Sequence, residues 1–307
     1  MPISEEATDY TIFGLRVRSE IPLPELPAAP FPGDADVKIG IGPAATVKEG
    51  SVATFVVDGI GRYQVIGGRE IVVEPVAGTH PQNLRLYLLG TAMGMLIHQR
   101  GLLPLHANAV EIEGKAVAFM GPSGSGKSTL AAWFHDKGYR IIADDVCVIR
   151  FDDEGVPLVS PGLPRLRLWR EMLEMTDRDP AQFAHSYAGA EDWEKYDVPL
   201  AGDRMAASAT QLAAIHLLEF GNRFSITSHA GVAAAEALFA NTYRGAEVRR
   251  SGKPQTHWET CLRLIERVPL FRLQRPRTAG QIDRQGNALI AHARETLKLD
   301  RSSHRSG

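Results

Sequence analysis

The sequence predicts an α/β fold in which a small, mainly β N-terminal domain precedes a larger core of alternating strands and helices. Two observations lead to this prediction. Short β-prone runs, separated by turn residues, fill the first 80 residues. From residue 104, a strand, a glycine-rich loop, a helix and a second buried strand follow one another, and this order is typical of α/β proteins.

The composition is that of a globular protein with no general affinity for nucleic acid. The chain has 307 residues, of which 44% are hydrophobic and 23% are charged, and this excludes disordered and fibrous proteins. Its 34 basic and 36 acidic residues nearly balance, whereas nucleic-acid-binding domains are usually basic. Cys147 and Cys261 are too few for a disulfide framework, so we expect a reducing, cytoplasmic location.

No segment predicts a membrane partner. The longest uncharged apolar stretch, residues 86–99, is shorter than the roughly 20 residues that cross a bilayer. The first ten residues are acidic and lack the apolar segment of a signal peptide. The oligomeric state stays open between a monomer and a homo-oligomer.

The predicted N-terminal domain covers residues 1–80 and is expected to be mainly antiparallel. Its strands are predicted at 10–17, 36–41, 54–59, 62–68 and 69–75. Apolar residues then recur at helical spacing, so we assign residues 81–103 to a connecting helix that Gly101 ends.

The predicted core covers residues 104–300, and residues 301–307 are expected to form a flexible tail. We predict a hairpin that turns at Gly114, then the glycine-rich loop and its helix, and a strand at 139–143. Further along the chain, the predicted elements are strands at 209–220 and 269–276 and helices at 230–244 and 253–268.

The glycine-rich loop predicts a site for a nucleotide and Mg²⁺. Residues 121–128, GPSGSGKS, fit the pattern GxxxxGK[ST], whose backbone N–H groups surround phosphate oxygens at a helix N-terminus. We expect Lys127 to face solvent until nucleotide binds and then to reach the terminal phosphates, and Ser128 to bind Mg²⁺. The predicted nucleotide-binding residues are Gly121, Ser123, Gly124, Ser125, Gly126, Lys127, Ser128 and Thr129.

Two aspartates follow the strand after the loop helix. Because strand side chains alternate between faces, we expect one carboxylate of Asp144 and Asp145 to face the phosphates and the metal. A carboxylate there either takes the proton from an attacking hydroxyl or holds the metal. We place both residues in the catalytic set, with Asp145 as a metal ligand.

His106 is a further catalytic candidate because of the predicted hairpin. If the strands pair around Gly114, residues near 106 lie level with residues near 121. A histidine in an apolar strand is otherwise a packed core residue.

These motifs together resemble the catalytic domain of the HPr serine kinase/phosphorylase family. The shared residues are LHAN at 105–108, GPSGSGKST at 121–129 and ADD at 143–145. His106 precedes the first loop glycine by 15 residues, and Asp144 follows the loop lysine by 17, as in that family. The resemblance covers residues 103–151.

The resemblance implies a P-loop kinase core of the HPr kinase and phosphoenolpyruvate carboxykinase type. It implies that Lys127 contacts phosphates, that Ser128 binds Mg²⁺ and that Asp144 is the base acting on an acceptor serine. His106 would support the site. The glycine-rich signature and metal-binding glutamate that follow ADD in the bifunctional enzymes have no match in residues 160–171, which puts the phosphorylase activity and HPr as acceptor in doubt.

A finer resemblance concerns residues 13–26, 105–110 and 160–169. They are similar to HPr-kinase-like proteins encoded with lasso-peptide genes, which resemble kinases of the C-terminal serine of a precursor peptide. Arg165, Arg167 and Arg170 are the substrate candidates, because guanidinium groups bind phosphate and carboxylate oxygens. A solvated basic edge is the alternative for them.

We therefore expect an ATP- and Mg²⁺-dependent kinase that phosphorylates a serine of a peptide or small protein. One alternative is an HPr-type or small-metabolite kinase, with the same chemistry and a different acceptor. The other is a non-catalytic regulator that binds ATP.

Overall fold

Three β-sheets and eight α-helices make up the part of the chain that the computed structural model describes, which is residues 7–43, 51–189, 194–250, 254–277 and 280–303. The fold is mixed α/β, as predicted. No helix within these residues is both long and apolar enough to cross a membrane.

The N-terminal sheet has six strands in the order β1-β2-β3-β6-β5-β4. They are β1 (Thr8–Ile12), β2 (Leu15–Ser19), β3 (Val37–Ile41), β4 (Val52–Val57), β5 (Gly61–Ile66) and β6 (Glu70–Pro75). The β2–β3 and β3–β6 pairs are parallel, so the sheet is more mixed than we expected. The reason for the first pair is the long, proline-rich connection after β2, which returns the chain to the same end of the sheet.

The connection between the two halves is helical but not one continuous α-helix. It comprises α1 (Pro81–Tyr87), a π-helical turn at Leu88–Ala92, and α2 (Met93–Gln99). Its apolar residues Leu84, Leu88, Met93 and Leu96 are fully buried, as their spacing predicted, and they belong to the same apolar cluster as the N-terminal strands.

Twelve further strands complete the two other sheets of the described residues. They are β7 (Leu103–Leu105), β8 (Ala107–Ile112), β9 (Lys115–Met120), β10 (Ile141–Ala143), β11 (Cys147–Phe151), β12 (Pro157–Ser160), β13 (Arg165–Trp169), β14 (Ala184–His185), β15 (Lys195–Pro199), β16 (Thr210–Phe220), β17 (Ser225–His229) and β18 (Leu270–Arg275). The main sheet runs β10-β8-β9-β16-β12-β11-β7, with β18 beside β16 and β17 beside β18. The small sheet runs β13-β15-β14.

Three strands of the main sheet run in the same direction and set the position of the site. β16 is parallel to both β9 and β18, so the carboxyl ends of all three lie at one edge. In open α/β sheets, ligands bind at the edge formed by the carboxyl ends of the parallel strands.

Helices cover both faces of the main sheet. They are α3 (Lys127–Asp136), α5 (Gly231–Ala240), α7 (Pro254–Ile265) and α8 (Ile282–Ser303). Two short helices lie elsewhere: α4 (Arg170–Met175) contacts β13 of the small sheet, and α6 (Ala246–Arg250) contacts α2 and α7. One apolar cluster joins the sheet to α5 and α7, and another joins the opposite face to α3 and α8. The strands predicted at 209–220 and 269–276 and the helices predicted at 230–244 and 253–268 are all confirmed. The backbone of α8 continues into the predicted tail, and residues 304–307 lie outside the described residues.

Candidate active site

The glycine-rich loop lies between the end of β9 at Met120 and the start of α3 at Lys127. All three of its glycines have positive φ angles, which are +150° at Gly121, +77° at Gly124 and +84° at Gly126. A Cβ atom at Gly121 would lie 2.7 Å from the Leu218 carbonyl oxygen, and one at Gly126 would overlap the Arg275 guanidinium. Any larger side chain at either position would therefore displace the neighbouring strand or this arginine.

Lys127 is buried, and our expectation of a solvent-facing side chain is wrong. The residue is 6% exposed, and its Nζ donates hydrogen bonds to the carbonyl oxygens of Gly121 (2.7 Å) and Pro122 (3.0 Å). The ammonium group turns back onto its own loop because these carbonyls compensate for its loss of hydration. Burial lowers the pKa of Lys127, while the charges of Asp145 and Asp144 act against this shift.

Asp144 is buried at the end of β10, with one carboxylate oxygen bound and the other free. The residue is 7% exposed, and its Oδ2 accepts a 2.6 Å hydrogen bond from the backbone N–H of Arg167. Its Oδ1 is buried and has no hydrogen-bond partner within the described residues. Burial and the charge of Asp145 raise the pKa of Asp144 above the ordinary carboxyl range, although Arg167 acts in the opposite direction.

Asp145 lies in a turn, so strand alternation does not separate the two aspartates as we expected. β10 ends at Ala143, and Asp145 has a left-handed φ of +65°. Its Oδ2 is 3.5 Å from Nη1 of Arg167. Burial alone would raise the pKa of Asp145, but the charges of Lys195 and Arg167 hold it below the ordinary value. The pair thus combines a carboxyl that gains a proton easily with one that stays ionised.

The hairpin places His106 beside the start of the loop, as predicted, and the structure also brings it next to the aspartates. Ala107 is opposite Met120 in the β8–β9 pair, so His106 lies level with Gly121. The Nδ1 of His106 is 3.1 Å from the carbonyl oxygen of Asp145, which assigns the ring proton to Nδ1 as the donor. Burial and the charge of Lys127 lower the pKa of His106, so the ring is neutral near pH 7.

Two of the three candidate arginines lie at the aspartates. Arg165 and Arg167 project from the same face of β13 and both pair with Asp197 of β15. Arg167 also faces Asp145, and its Nη2 is buried with no hydrogen-bond partner within the described residues.

The structure places Arg170 elsewhere. β13 ends at Trp169 and α4 begins at Arg170, so the strand alternation that aligns the other two arginines no longer applies. Arg170 pairs with Glu194, donates a 2.7 Å hydrogen bond to the Tyr196 hydroxyl, and lines a separate cavity.

The oxygen atoms near the loop suit Mg²⁺ better than a metal with many protein ligands. No three His, Cys, Asp or Glu side chains converge within the described residues. Mg²⁺ is usually held by one or two protein oxygens together with water and substrate phosphates. The Ser128 hydroxyl at the start of α3 and the ionised Asp145 fit that pattern.

The remaining loop side chains differ in their surroundings. Ser123 and Gly124 are exposed, whereas the Ser125 hydroxyl is buried without a hydrogen-bond partner in the described part of the chain. The Thr129 hydroxyl donates to Sδ of Met172 at 3.0 Å and therefore packs against α4.

Three residues at the site were not predicted from the sequence. Lys195 lies at the start of β15, opposite Trp169, with Nζ 5.4 Å from the centre of that indole ring. Tyr243 lines the space beside Asp144. Arg275 is 5% exposed, and its Nη2 donates a 2.8 Å hydrogen bond to the Ser125 carbonyl oxygen. All three come from segments distant in sequence, and no motif spacing points to them.

A cavity near Arg165 adjoins the small space that the two aspartates line. It has a volume of about 330 Å³ and lies between α1 and the small sheet. Its polar lining includes Gln82, Arg85, Arg165, Ser186 and Asp197. It shares Leu89 and Arg165 with the space of about 20 Å³ beside Asp144, so Arg165 stands between the cavity and the aspartates.

Comparisons with family models and with curated proteins find no match. Among solved structures, the HPr(Ser) kinase/phosphatase from Coxiella burnetii aligns with a TM-score of 0.37 and 13% sequence identity. The alignment covers 66% of this chain and 96% of that chain. The overall similarity is distant, and the functional proposal therefore rests on the geometry of the site.

Proposed function

We propose that this protein is a cytoplasmic, ATP- and Mg²⁺-dependent kinase that phosphorylates a serine hydroxyl of a peptide or small protein. The observation that carries the proposal is the surroundings of Asp144. This carboxylate is buried beside a GxxxxGK[ST] loop, has one oxygen free of hydrogen bonds, and has a raised pKa. A metal ligand or a merely structural aspartate does not need these three properties together.

Asp144 acts as the general base. Its free Oδ1 accepts the proton of the serine hydroxyl as the serine oxygen attacks the γ-phosphorus. The bond between that phosphorus and the β–γ bridging oxygen breaks, its electron pair stays on that oxygen, and ADP leaves. A base works best with a pKa near the operating pH, and burial moves the pKa of Asp144 in that direction.

The loop and its lysine bind the triphosphate. Lys127 exchanges the carbonyl oxygens of Gly121 and Pro122 for phosphate oxygens, and the N–H groups at the start of α3 face the same anion. Since phosphoryl transfer depends mainly on positioning and charge stabilisation, this arrangement supports transfer as well as binding.

Ser128 and Asp145 are the residues that would hold Mg²⁺. When bound, the ion would neutralise charge on the phosphates. Asp145 is suited to this because nearby cations keep it ionised. His106, which donates to the Asp145 carbonyl, fixes the turn that carries both carboxylates.

The cavity beside Arg165 is proposed to receive the acceptor. A peptide that ends in serine presents a hydroxyl and a carboxylate close together. Arg165 lines both the cavity and the space beside Asp144, so it can bind the carboxylate while the hydroxyl faces the base. This supports a C-terminal serine, as in a lasso-peptide precursor, over an internal one.

The test is ATP turnover with a panel of serine-containing peptides, small proteins and metabolites, followed by mass spectrometry of the products. We expect a phosphorylated serine with the wild-type protein and none with Asp144→Asn. Asp153→Asn, in an exposed turn, serves as the matched control and should behave like the wild type. If only a metabolite is phosphorylated, the protein is a kinase whose acceptor is a small molecule and not a peptide. If ATP binds but is not turned over with any acceptor, the protein is a non-catalytic regulator.

A further inference from the structure

Phe220 is an exposed aromatic residue at the edge of the sheet where the glycine-rich loop begins. It is the last residue of β16 and is 39% exposed. β16 runs parallel to β9 and places Leu217 opposite Met120, so Phe220 projects just beyond the level at which the loop leaves β9. Large exposed aromatic side chains at such an edge are candidates for ligand contact.

Two guanidinium groups lie on the Phe220 ring. The Cζ of Arg277 is 4.4 Å from the ring centre, and the Cζ of Arg275 is 5.5 Å from it. A guanidinium is planar and packs on aromatic faces. Because Arg277 is exposed, the face that it covers is accessible to another flat group.

Arg275 connects this ring directly to the loop. Its Nη2 donates to the Ser125 carbonyl oxygen at 2.8 Å, and its Cζ lies 3.1 Å from the position of a Cβ atom on Gly126. One guanidinium therefore spans the space between the loop and the ring. A molecule whose phosphates lie in the loop can place its other end on Phe220.

We propose that the Phe220 ring is the platform on which the nucleotide base stacks, with the base on the face that Arg277 now covers. This inference rests on the proposed nucleotide site and adds the part that binds the base. The ligand class is a purine nucleoside triphosphate, because the larger purine ring system covers more of the aromatic face. Stacking distinguishes adenine from guanine only weakly, since every base has a π face.

The experiment compares two ligands, Mg-ATP and Mg-tripolyphosphate, by calorimetric titration of the full chain. Tripolyphosphate has the phosphates and lacks the base. Phe220→Leu should weaken the binding of Mg-ATP about 5- to 100-fold, which is the range expected for the loss of base stacking. The same substitution should leave the affinity for Mg-tripolyphosphate unchanged. Phe220→Trp should bind Mg-ATP at least as well as the wild type. Phe31→Leu is the control, because Phe31 is an exposed phenylalanine in the segment after β2.

The outcomes separate this inference from the proposed function. If Phe220→Leu binds Mg-ATP as tightly as the wild type does, the base does not stack on Phe220, while the proposed nucleotide site at the loop is unaffected. If Phe220→Leu binds both ligands equally more weakly, the proposal that the base stacks on Phe220 is also wrong, because Phe220 would then act by supporting the loop. A wild-type protein that binds neither ligand would overturn the nucleotide site itself.

Discussion

The backbone N–H of Arg167 donates a 2.6 Å hydrogen bond to Oδ2 of Asp144, although the two residues are 23 positions apart. The bond joins the turn after β10 to strand β13 of the small sheet. It orients the Asp144 carboxylate so that Oδ1 remains free. It also brings the Arg167 side chain against Asp145, so the cationic strand and the acidic turn form one unit.

Replacing Asp144 with asparagine tests the base. The amide cannot accept the serine proton, so we expect phosphoryl transfer to fall by about 10²- to 10⁴-fold, with Mg-ATP binding retained. Quenched-flow transfer assays and calorimetric titration measure the two quantities. Asp145→Asn should instead weaken binding in the presence of Mg²⁺. Unchanged transfer in both variants would remove the aspartates from the mechanism.

The raised pKa of Asp144 gives opposite pH trends for activity and stability. Only the carboxylate is a base, so kcat/KM should rise with pH through the raised pKa. The folded protein binds this proton more tightly than the unfolded chain does, so the Asp144 contribution to the free energy of unfolding should decrease over the same range. Urea unfolding at several pH values should show a smaller decrease for Asp144→Asn. A wild-type kcat/KM that falls with rising pH would contradict the assignment.

Lys127→Met should abolish transfer and leave the protein folded. The variant loses two hydrogen bonds from the ammonium group to loop carbonyls, but the methionine stem keeps the buried packing. We expect a loss of about 1 kcal/mol in the free energy of unfolding, measured by urea titration. Lys137→Met, at the other end of α3 and half exposed, should keep wild-type transfer. Activity in Lys127→Met would be incompatible with the kinase proposal.

Amidation of an acceptor peptide tests the role of Arg165. With a peptide ending in serine, the free acid should have a kcat/KM about 10- to 160-fold above that of the amide, equivalent to ~1.5–3 kcal/mol for a charged hydrogen bond. Arg165→Ala should remove most of this difference in kcat/KM. Arg170→Ala should preserve it, because Arg170 lies outside the cavity that Arg165 lines. Equal rates for acid and amide would show that the acceptor serine need not be terminal.

His216 should make the protein sensitive to acid. It is fully buried between Phe119 and Phe271, and burial lowers its pKa from 6.5 to about 3. Below pH 6.5 the His216 ring is protonated in the unfolded chain but stays neutral in the folded protein. The His216 contribution to stability is therefore intact above pH 6.5 and falls towards pH 3. At pH 5 the loss is about 2 kcal/mol.

Urea unfolding of His216→Leu at pH 7 and pH 5 measures this effect. The variant should lose less stability on acidification than the wild type. His229→Leu, at the end of strand β17 and only half-buried, is the comparison and should keep the wild-type trend. Identical acid dependence in His216→Leu and the wild type would show that other groups control it.

The sequence predicted the local parts of the site well. The strand, loop and helix around residues 121–128 are contiguous, so motif and hydrophobic pattern were enough. The position of His106 was predicted correctly, because a tight turn at Gly114 determines which residues of the two hairpin strands lie opposite each other.

The prediction failed where distant segments meet. The small sheet β13-β15-β14 was not predicted, because β14 has only two residues and its partner β15 is separated from β13 by α4. Lys195 was missed for the same reason. The burial of Lys127 depends on loop carbonyls that turn towards its ammonium group, which a motif does not reveal.

The contact between Arg275 and Ser125 has a consequence for biosynthesis. The loop motif leaves the ribosome well before β16 and β18, the parallel strands beside β9 that support it. Parallel pairing to a late segment requires a long stretch of chain to be ordered first. A nascent chain that already carries the complete motif therefore lacks the shaped loop, and the proposed nucleotide site can form only after β16 and β18 have been synthesised.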